Sequence, residues 1–452
     1  MNHRQRLALV IPGGAHTYSR GSDQFPSNAP DILVRGEGAW VWDANGRKYL
    51  DYGMSLRAVT LGYANPRVTE AACDAARQGN NLTRPSLLEL EAAEMLVGMI
   101  DSADMVKFAK NGSNVTTAAV KVARSFTRRN LVCVPRQHPF FSFDDWFIGT
   151  TPMSRGIPRE HDAHTRLFDY GRIETLEKIF SEHPGEVAAV MLEPATSHTW
   201  PCPPSCPSGI SWENPCYLCP ENGRNFLHSV QALCHRHGAL LILDEMITGF
   251  RWHPGGAQRF FGLQPDLSTF GKAMANGFSV AALAGRREVM AVGAIEPEGG
   301  ERTFLLSSTH GAEMCGLAAF LETARIYKEE NVCGHLWKYG GQLREVLTEE
   351  AEKAGVKGYV RLVGPDIALA LETLDSEGES SRGFLTLFAQ EMVRHGVLMP
   401  WVAISTAHGE KELSLTRTAF RGALQTYQKA LREGLCGLLE GPEIRPVFRA
   451  KN

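Results

Sequence analysis

Two kinds of segment alternate along the middle of the chain, and this alternation constrains the fold more than any other feature of the sequence. Helical stretches, whose apolar residues repeat with a period of about 3.6, are separated by short apolar runs rich in β-branched residues. Because strands that alternate with helices pair in parallel and are covered on both faces, the pattern predicts an α/β fold with a mostly parallel sheet. The predicted helices are Val68–Gln78, Ser86–Ile100, Thr116–Thr127, Ile173–His183 and Phe226–His237, and the predicted strands are Met105–Ala109, Leu131–Val134, Val187–Leu192 and Ala239–Leu243.

The two ends of the chain follow other patterns. Residues 36–52 alternate apolar and polar side chains around Asn45-Gly46, which predicts a β-hairpin. Beyond Gly311, helices are predicted at Glu313–Glu330, His335–Ala354 and Thr416–Leu438, with strands at Tyr359–Leu362 and Ile367–Glu372. We therefore expect three segments: residues 1–65, residues 66–310 as a large sheet domain with a cysteine-rich insertion at 200–222, and residues 311–452 as a C-terminal α+β part.

Charge and hydropathy exclude several classes of protein. The 452 residues carry 47 basic and 50 acidic side chains, a formal charge of −3, so no electrostatic footprint for nucleic acid or anionic lipid is expected. The longest purely apolar runs fall far short of the roughly 18 residues that a membrane span needs. The apolar stretch Leu7–Ile11 is also shorter than the core of a secretory signal. We expect a cytoplasmic protein that acts on small molecules, with ten mostly reduced and buried cysteines.

Asp244 and Lys272 are the most informative pair of residues. Asp244 ends the apolar run ALLIL, so it is expected at the carboxyl edge of a central strand, where open α/β sheets bind ligands. Lys272 lies between Gly271 and Ala273, whose small side chains leave it room to reach a cofactor. Taken singly, the aspartate is more often a helix cap or an ion-pair partner, and the lysine more often solvated.

Together these two residues fit the requirements of pyridoxal phosphate. That cofactor needs a lysine amine to bind its aldehyde and a carboxylate to keep its pyridine nitrogen protonated. It also needs a phosphate cradle, and a candidate is the turn Lys110–Asn114, which follows one predicted strand and leads into a predicted helix. Ser113 or Asn114 as a simple helix N-cap explains the same turn equally well.

The chain resembles the class III aminotransferases among the fold-type I pyridoxal phosphate enzymes, in particular the glutamate-1-semialdehyde 2,1-aminomutase branch. The resemblance covers most of residues 11–320. It is carried by the stretches IPGGAHTYSRG, YLDYGMSLRAVTLGYANPRV, MVKFAKNGSNVTTAAVKVAR, LLILDEMITGFR, DLSTFGKAMANGFSVAALAGRREVM and SSTHGAEMCGLAA. It implies a large, mostly parallel-sheet domain and a smaller α+β domain built from both termini.

The resemblance also implies roles for individual residues. Lys272 corresponds to the lysine that carries the cofactor and Asp244 to the partner of its ring nitrogen. Thr309 corresponds to a threonine that reaches the phosphate from a neighbouring subunit, which implies a homodimer. The remaining residues placed around the cofactor are Gly112, Ser113, Asn114, Phe140 and Glu193.

Two arginines are candidates for substrate binding. Arg20 matches the arginine that holds the substrate carboxylate in the aminomutase, and a guanidinium can donate two parallel hydrogen bonds to a carboxylate. The alternative for Arg20 is an ordinary surface arginine near the N-terminus. Arg57 lies in a segment that the family uses to line its substrate pocket and is a second, weaker candidate.

The sequence departs from the family pattern at two places. Many relatives have a Tyr-His-Gly segment over the cofactor, whereas this chain has Phe140-Phe141-Ser142, so Phe140 keeps a stacking role without a hydroxyl. Residues 400–404, Pro-Trp-Val-Ala-Ile, stand where the aminomutase carries a glutamate near the substrate amine. Both differences favour an aminotransferase that uses an amino-acid donor and a carbonyl acceptor over an aminomutase. A decarboxylase, an epimerase and a non-catalytic binding protein are further alternatives.

Four of the ten cysteines are clustered in one insertion. Cys202, Cys206, Cys216 and Cys219 fall within 18 residues, and the second pair has the spacing of a zinc knuckle. Four thiolates would close a structural zinc site and leave no open coordination position for catalysis. Four reduced cysteines without metal are the alternative. Because the insertion follows Glu193-Pro194 at a predicted strand end, we expect it beside the mouth of the active site.

Overall fold

The computed structural model describes residues 1–202, 210–212, 225–295 and 301–451. The chain divides into two compact units, one made of residues 1–65 and 334–452 and the other of residues 66–333. The strands are β1 Leu33–Glu37, β2 Trp40–Asp43, β3 Lys48–Asp51, β4 Met105–Ala109, β5 Leu131–Pro135, β6 Thr165–Phe168, β7 Val187–Leu192, β8 Leu240–Asp244, β9 Leu267–Phe270, β10 Ala281–Gly285, β11 Val360–Val363, β12 Ala370–Thr373 and β13 Val397–Leu398.

The helices range from single turns to 24 residues. They are α1 His3–Val10, α2 Met54–Arg57, α3 Pro66–Arg77, α4 Leu87–Met99, α5 Gly112–Thr127, α6 Asp145–Ile148, α7 Arg159–Asp162, α8 Ile173–Glu182, α9 Phe226–His237, α10 Gly256–Phe260, α11 Arg287–Met290, α12 Met314–Glu329, α13 Val332–Lys353, α14 Arg382–Arg394 and α15 Glu410–Glu433. Within the described residues, no helix combines the length and hydropathy that crossing a bilayer requires.

A seven-stranded sheet forms the centre of the larger unit, with the strand order β4-β10-β9-β8-β7-β5-β6. The strands from β9 to β6 pair in parallel, and β10 pairs antiparallel with both β9 and β4. Every residue of β5, β7, β8, β9 and β10 is buried, as expected for strands covered by helices on both faces. The α/β prediction is therefore confirmed.

The other unit contains a four-stranded sheet, β1-β2-β3-β13, and the pair β11-β12. The hairpin between β2 and β3 turns at Gly46, whose φ of 81° is a conformation that glycine adopts without strain. The carboxylate of Asp43 accepts hydrogen bonds from the amides of Asn45 and Arg47 and so closes the turn. The predicted hairpin is present, and β1 extends it by one strand.

The division between the units follows the predicted boundary at residue 65 but not the one at residue 310. Helix α12 belongs to the larger unit, because Glu322 and Glu329 both pair with Arg67 on α3 and the amide of Met314 donates to the carbonyl of Asn80. The chain leaves this unit only after Cys333. The sequence pattern identifies α12 as a helix but does not show which sheet it packs on.

The cysteines follow the prediction only in part. Outside the cysteine-rich segment, the six described cysteines form no disulfide. Cys133, Cys234 and Cys333 are buried, whereas Cys73 and Cys436 are exposed. Burial raises the pKa of the three buried thiols well above its ordinary value, so these groups stay protonated and act as apolar core residues.

Candidate active site

Asp244 and Lys272 lie at the same edge of the seven-stranded sheet. Asp244 is the last residue of β8, and Lys272 follows the end of the neighbouring parallel strand β9 by two residues. Parallel strands deliver their carboxyl ends to one edge, where ligands bind in open α/β sheets. The positive charge of Lys272 lowers the pKa of Asp244, which places the two groups in each other's electrostatic field.

The carboxylate of Asp244 is buried, and among the described residues only one of its two oxygens accepts hydrogen bonds. Its side chain accepts hydrogen bonds from the amide of Met246 at 3.0 Å and the hydroxyl of Thr269 at 3.1 Å, and both donate to Oδ1. In the part of the chain that the structure describes, Oδ2 accepts no hydrogen bond. Burial is the largest effect on this carboxyl group and raises its pKa to about 6. A buried carboxylate with one open oxygen suits a cationic ring N–H.

Lys272 has a strained backbone. Its φ of 42° lies in the left-handed region, which costs a residue other than glycine about 1–2 kcal/mol. The residue opens the short 3-10 turn Lys272–Ala275, immediately after Gly271, and its side chain is half-buried. Backbone strain of this kind clusters at functional sites.

The turn predicted to hold phosphate lies at the same sheet edge. Strand β4 ends at Ala109, which pairs with Ala281 on β10. The next residue on β10, Ala282, pairs with Phe270 at the end of β9. Helix α5 then begins at Gly112, four residues before the predicted Thr116, because Asn111 caps it by accepting from the amide of Asn114 at 3.1 Å. The cap is therefore neither Ser113 nor Asn114. The first amides of the helix have no acceptor within it and face outward, as at other anion-binding helix starts.

Met246 connects the turn predicted to hold phosphate with the segment that contains Lys272. A Cβ added to Gly112 would lie 2.9 Å from the sulfur of Met246, and a Cβ added to Gly271 would lie 2.7 Å from the same sulfur. Neither position has room for a side chain, because Met246 packs against both glycines. The turn after β4, the residues after β8 and the residues after β9 are therefore in contact. The prediction identified the three segments, but Met246 and Thr269 emerge only from their packing.

Phe140 and Glu193 lie on loops that leave the same edge of the sheet. The loop that carries Phe140 is tied to α5, since the hydroxyl of Ser113 accepts from the amide of Phe143 at 3.0 Å. The ring of Phe140 is 45% exposed, whereas that of Phe141 is buried. Glu193 is buried directly after β7. Phe140 is thus the ring of this pair that is available to a ligand.

His138 is a residue that the sequence analysis missed. It is buried, its Nδ1 accepts from the amide of Glu193 at 3.1 Å, and its Nε2 lies 3.1 Å from the hydroxyl of Thr199. Burial lowers its pKa to about 3, so the ring is neutral and donates from Nε2 to Thr199. His138 joins the Phe140 loop to Glu193 and to the segment that precedes the cysteines. Its position three residues after a buried strand was the available signal.

Three predicted site residues remain: Thr309 belongs to the larger unit, and Arg20 and Arg57 belong to the other. Thr309 is exposed, and its carbonyl accepts from the side chain of Asn81 at 2.9 Å. In the other unit, Arg20 donates from Nη2 to the hydroxyl of Ser55 at 3.2 Å, and the guanidinium of Arg57 lies 5.8 Å from the ring centre of Trp401.

The predicted zinc site lies mostly outside the described residues. Cys206, Cys216 and Cys219 are not among them, and Cys202 is buried. Within the described ranges, no group of three or more His, Cys, Asp or Glu side chains is arranged to hold a metal ion. The zinc site stays a prediction.

Gly112 provides a test of the phosphate cradle. We expect Gly112→Ala to weaken the binding of pyridoxal phosphate by about 1 to 3 kcal/mol, because its new methyl group displaces Met246 and the turn beside it. Gly98→Ala is the matched control, since a Cβ at this position on α4 meets no atom within 4 Å. Equilibrium dialysis of both variants measures the effect, and equal affinities would contradict the role of Gly112.

A family model and two curated relatives match most of this chain. The family model described as aminotransferase class-III matches residues 20–205 and 219–415. The chain is 30% identical over 433 residues to the glutamate-1-semialdehyde 2,1-aminomutase of Nitrosospira multiformis, covering 90% of this chain and 94% of that protein. The aminomutase of the same name from Nitrosomonas europaea is 30% identical over 431 residues, covering 91% and 93%.

Solved structures show the same similarity. The FumI protein of Sphingopyxis sp. MTA144, in its PLP internal aldimine form, superposes with a TM-score of 0.81 at 25% identity and covers 95% of this chain and 97% of its own. A glutamate-1-semialdehyde aminomutase of Pseudomonas aeruginosa PAO1 superposes with a TM-score of 0.76 at 20% identity, covering 95% of this chain and 94% of its own. At that identity the second likeness supports the fold alone.

Proposed function

This chain belongs to the class III aminotransferases, and from that membership we propose that it moves an amino group from an amino-acid donor to a ketone or aldehyde acceptor in a specialised biosynthetic reaction. The observation that carries the proposal is the buried Asp244 carboxylate, which lies in the electrostatic field of Lys272 and, within the described residues, has one oxygen that accepts no hydrogen bond.

The described residues fit pyridoxal phosphate. Asp244 would hold the ring nitrogen, and the first amides of α5 and the hydroxyl of Ser113 would hold the phosphate. Phe140 would offer the ring an aromatic contact. When bound, the cofactor supplies an electron sink and an aldehyde that exchanges with the amino group. Asp244 keeps the ring nitrogen protonated. Lys272 moves a proton at the substrate α-carbon, and its half-buried position limits access of water to that proton.

An aminomutase is the second candidate, because the relatives with 30% identity are named glutamate-1-semialdehyde 2,1-aminomutases. The two activities differ in their products. A transaminase releases one keto acid for each donor consumed, whereas a mutase isomerises an amino aldehyde and releases none. Incubating the cofactor-loaded protein with a panel of amino acids and measuring keto acid tests the proposal. Isomerisation of glutamate-1-semialdehyde with no keto acid from any donor would favour the mutase.

A homodimer is part of the proposal. Thr309 is exposed on the larger unit, which suits a residue that reaches the phosphate of a second copy. We propose that two chains share their cofactor sites and act in the cytoplasm. A sedimentation mass of one chain for the active, cofactor-loaded protein would exclude the shared site.

The cysteine-rich segment gives a separate prediction. If Cys202, Cys206, Cys216 and Cys219 bind structural zinc, the purified protein contains stoichiometric zinc, and Cys216→Ser loses it because three thiolates hold the ion more weakly. Cys436→Ser, at an exposed cysteine outside the cluster, is the control and keeps the metal. Elemental analysis measures both, and wild-type protein without stoichiometric zinc would end this hypothesis.

A further inference from the structure

A buried histidine, His138, lies among the loops that leave the sheet edge carrying Asp244. Strands β5 and β6 pair in parallel, as do β5 and β7 and then β7 and β8, so their carboxyl ends meet at this edge. His138 follows the last residue of β5 by three positions and is 3% exposed. It takes no part in the chemistry assigned to Lys272 and Asp244.

Both ring nitrogens of His138 are engaged within the protein. Nδ1 accepts from the amide of Glu193 at 3.1 Å, so the ring proton lies on Nε2, which donates to the hydroxyl of Thr199 at 3.1 Å. A second proton on Nδ1 would face the Glu193 amide, which is itself a donor, and burial lowers the pKa of the ring to about 3. The ring therefore stays neutral and has no nitrogen left for a ligand.

The partners of His138 belong to well-held parts of the chain. Glu193 directly follows β7, a strand that is buried along its whole length. Thr199 closes a tight turn with Thr196, because its amide donates to the Thr196 hydroxyl at 3.0 Å and its carbonyl accepts from the Thr196 amide at 2.6 Å. The ring of Tyr170 packs on the imidazole, with 5.2 Å between the ring centres. These contacts fix the position of His138 at the sheet edge.

Only Pro139 separates His138 from Phe140. A proline ring fixes one backbone dihedral, and the residue before a proline is confined to extended conformations, so this link is stiff. On the other side of Phe140 the chain is held by α5, since the carbonyl of Phe141 accepts from the hydroxyl of Thr116 at 2.8 Å. Phe140 therefore lies between two anchored points, although its own ring is 45% exposed.

From these contacts we propose that His138 is a positioning residue that sets the location of Phe140 against the ring of bound pyridoxal phosphate. The inference rests on the proposed function, in which Phe140 offers the cofactor an aromatic contact. Such a contact depends on the separation and tilt of the two rings. A loop with one anchor would sample poorer geometries and lose more entropy when the cofactor binds. With His138 in place, the loop is ordered before binding.

Two substitutions each remove one hydrogen bond of His138. In His138→Asn the side-chain oxygen takes the place of Nδ1 and accepts from Glu193, but the bond to Thr199 is lost. In His138→Gln the amide nitrogen takes the place of Nε2 and donates to Thr199, but the bond from Glu193 is lost. We expect each variant to bind pyridoxal phosphate about three- to tenfold more weakly than the wild type in equilibrium dialysis.

A double-mutant cycle shows whether His138 acts through Phe140. We expect Phe140→Ala alone to weaken binding about two- to tenfold, and either His138 substitution to add less than about twofold in the Phe140→Ala protein. The visible circular dichroism of the bound cofactor, which depends on the orientation of its ring, should also change in both His138 variants. His198→Gln, at an exposed histidine of the Thr196–Thr199 turn, is the control and should behave as the wild type in both measurements.

The outcomes separate this inference from the proposed function. Additive losses in the cycle, or unchanged binding by both His138 variants, would overturn the inference, and so would a Phe140→Ala protein that binds the cofactor as well as the wild type. Transamination by the wild type would keep the proposed function in each case. Non-additive losses in a protein that transaminates no donor would instead overturn the proposed function alone. The two His138 variants give independent cycles, so the test stands if one of them fails to fold.

Discussion

Lys272→Ala is expected to lower transamination by at least about 10³-fold while leaving the protein folded. A positioned general base alone contributes about 10²- to 10⁴-fold, and this lysine also carries the cofactor in the proposal. The backbone change is small, because alanine and lysine both bear the cost of the left-handed φ at this position. Steady-state rates with the best amino donor, together with circular dichroism, measure the effect.

Two variants control for charge and for residue type. Lys272→Arg keeps the positive charge beside Asp244 but cannot bind an aldehyde, so we expect it to be as inactive as Lys272→Ala. Lys107→Ala removes an exposed lysine from β4 and should keep full activity. Appreciable transamination by Lys272→Ala would show that another group does the chemistry.

Asp244→Asn is expected to lower activity by about 10²- to 10³-fold, the usual cost of removing a preorganised electrostatic group. An amide can still accept from Met246 and Thr269, so the local structure is kept. It cannot keep a ring nitrogen protonated. Asp244→Glu restores the charge and should recover part of the rate, and rates of the two variants at saturating cofactor provide the measurement.

The same substitution should stabilise the protein when cofactor is absent. Burial raises the pKa of Asp244 from 3.8 to about 6, so the stability that this group contributes is fully present below about pH 4 and is lost as the pH rises through 6. The difference of about two pKa units corresponds to about 3 kcal/mol. Asparagine does not ionise, so at pH 8 the free energy of unfolding of Asp244→Asn should exceed that of the wild type by up to this amount.

Denaturant unfolding of the cofactor-free proteins at pH 4 and pH 8 measures this difference. We expect near-equal stabilities at pH 4 and a more stable variant at pH 8. A variant that is less stable than the wild type at pH 8 would mean that the buried carboxylate is structural, with a partner inside the protein, and would count against its role in holding a cofactor.

The seven-stranded sheet and the location of the site were largely predictable. Strands Met105–Ala109 and Val187–Leu192 and helix Phe226–His237 have the predicted bounds, because their apolar periodicity is strong. The position of Asp244 followed from the rule that strands of parallel sheets end at the ligand edge. The weaker helix formers at 112–115 hid the start of α5, which depends on the Asn111 cap.

Features that depend on packing between distant segments could not be read from the sequence. Met246 packs against Gly112 and Gly271, Thr269 donates to Asp244, and His138 accepts from Glu193. These pairs are 25 to 134 residues apart in sequence, so no local pattern indicates them.

The central claim is that Lys272 binds the cofactor at the site built by Asp244 and the start of α5. Borohydride reduction of the protein loaded with pyridoxal phosphate, followed by peptide mass mapping, tests it most directly. The account predicts a stoichiometric phosphopyridoxyl group on Lys272 and none on Lys110 or Lys107. A folded protein that takes up no label, or that carries it on another lysine while Lys272 stays unmodified, would contradict the account.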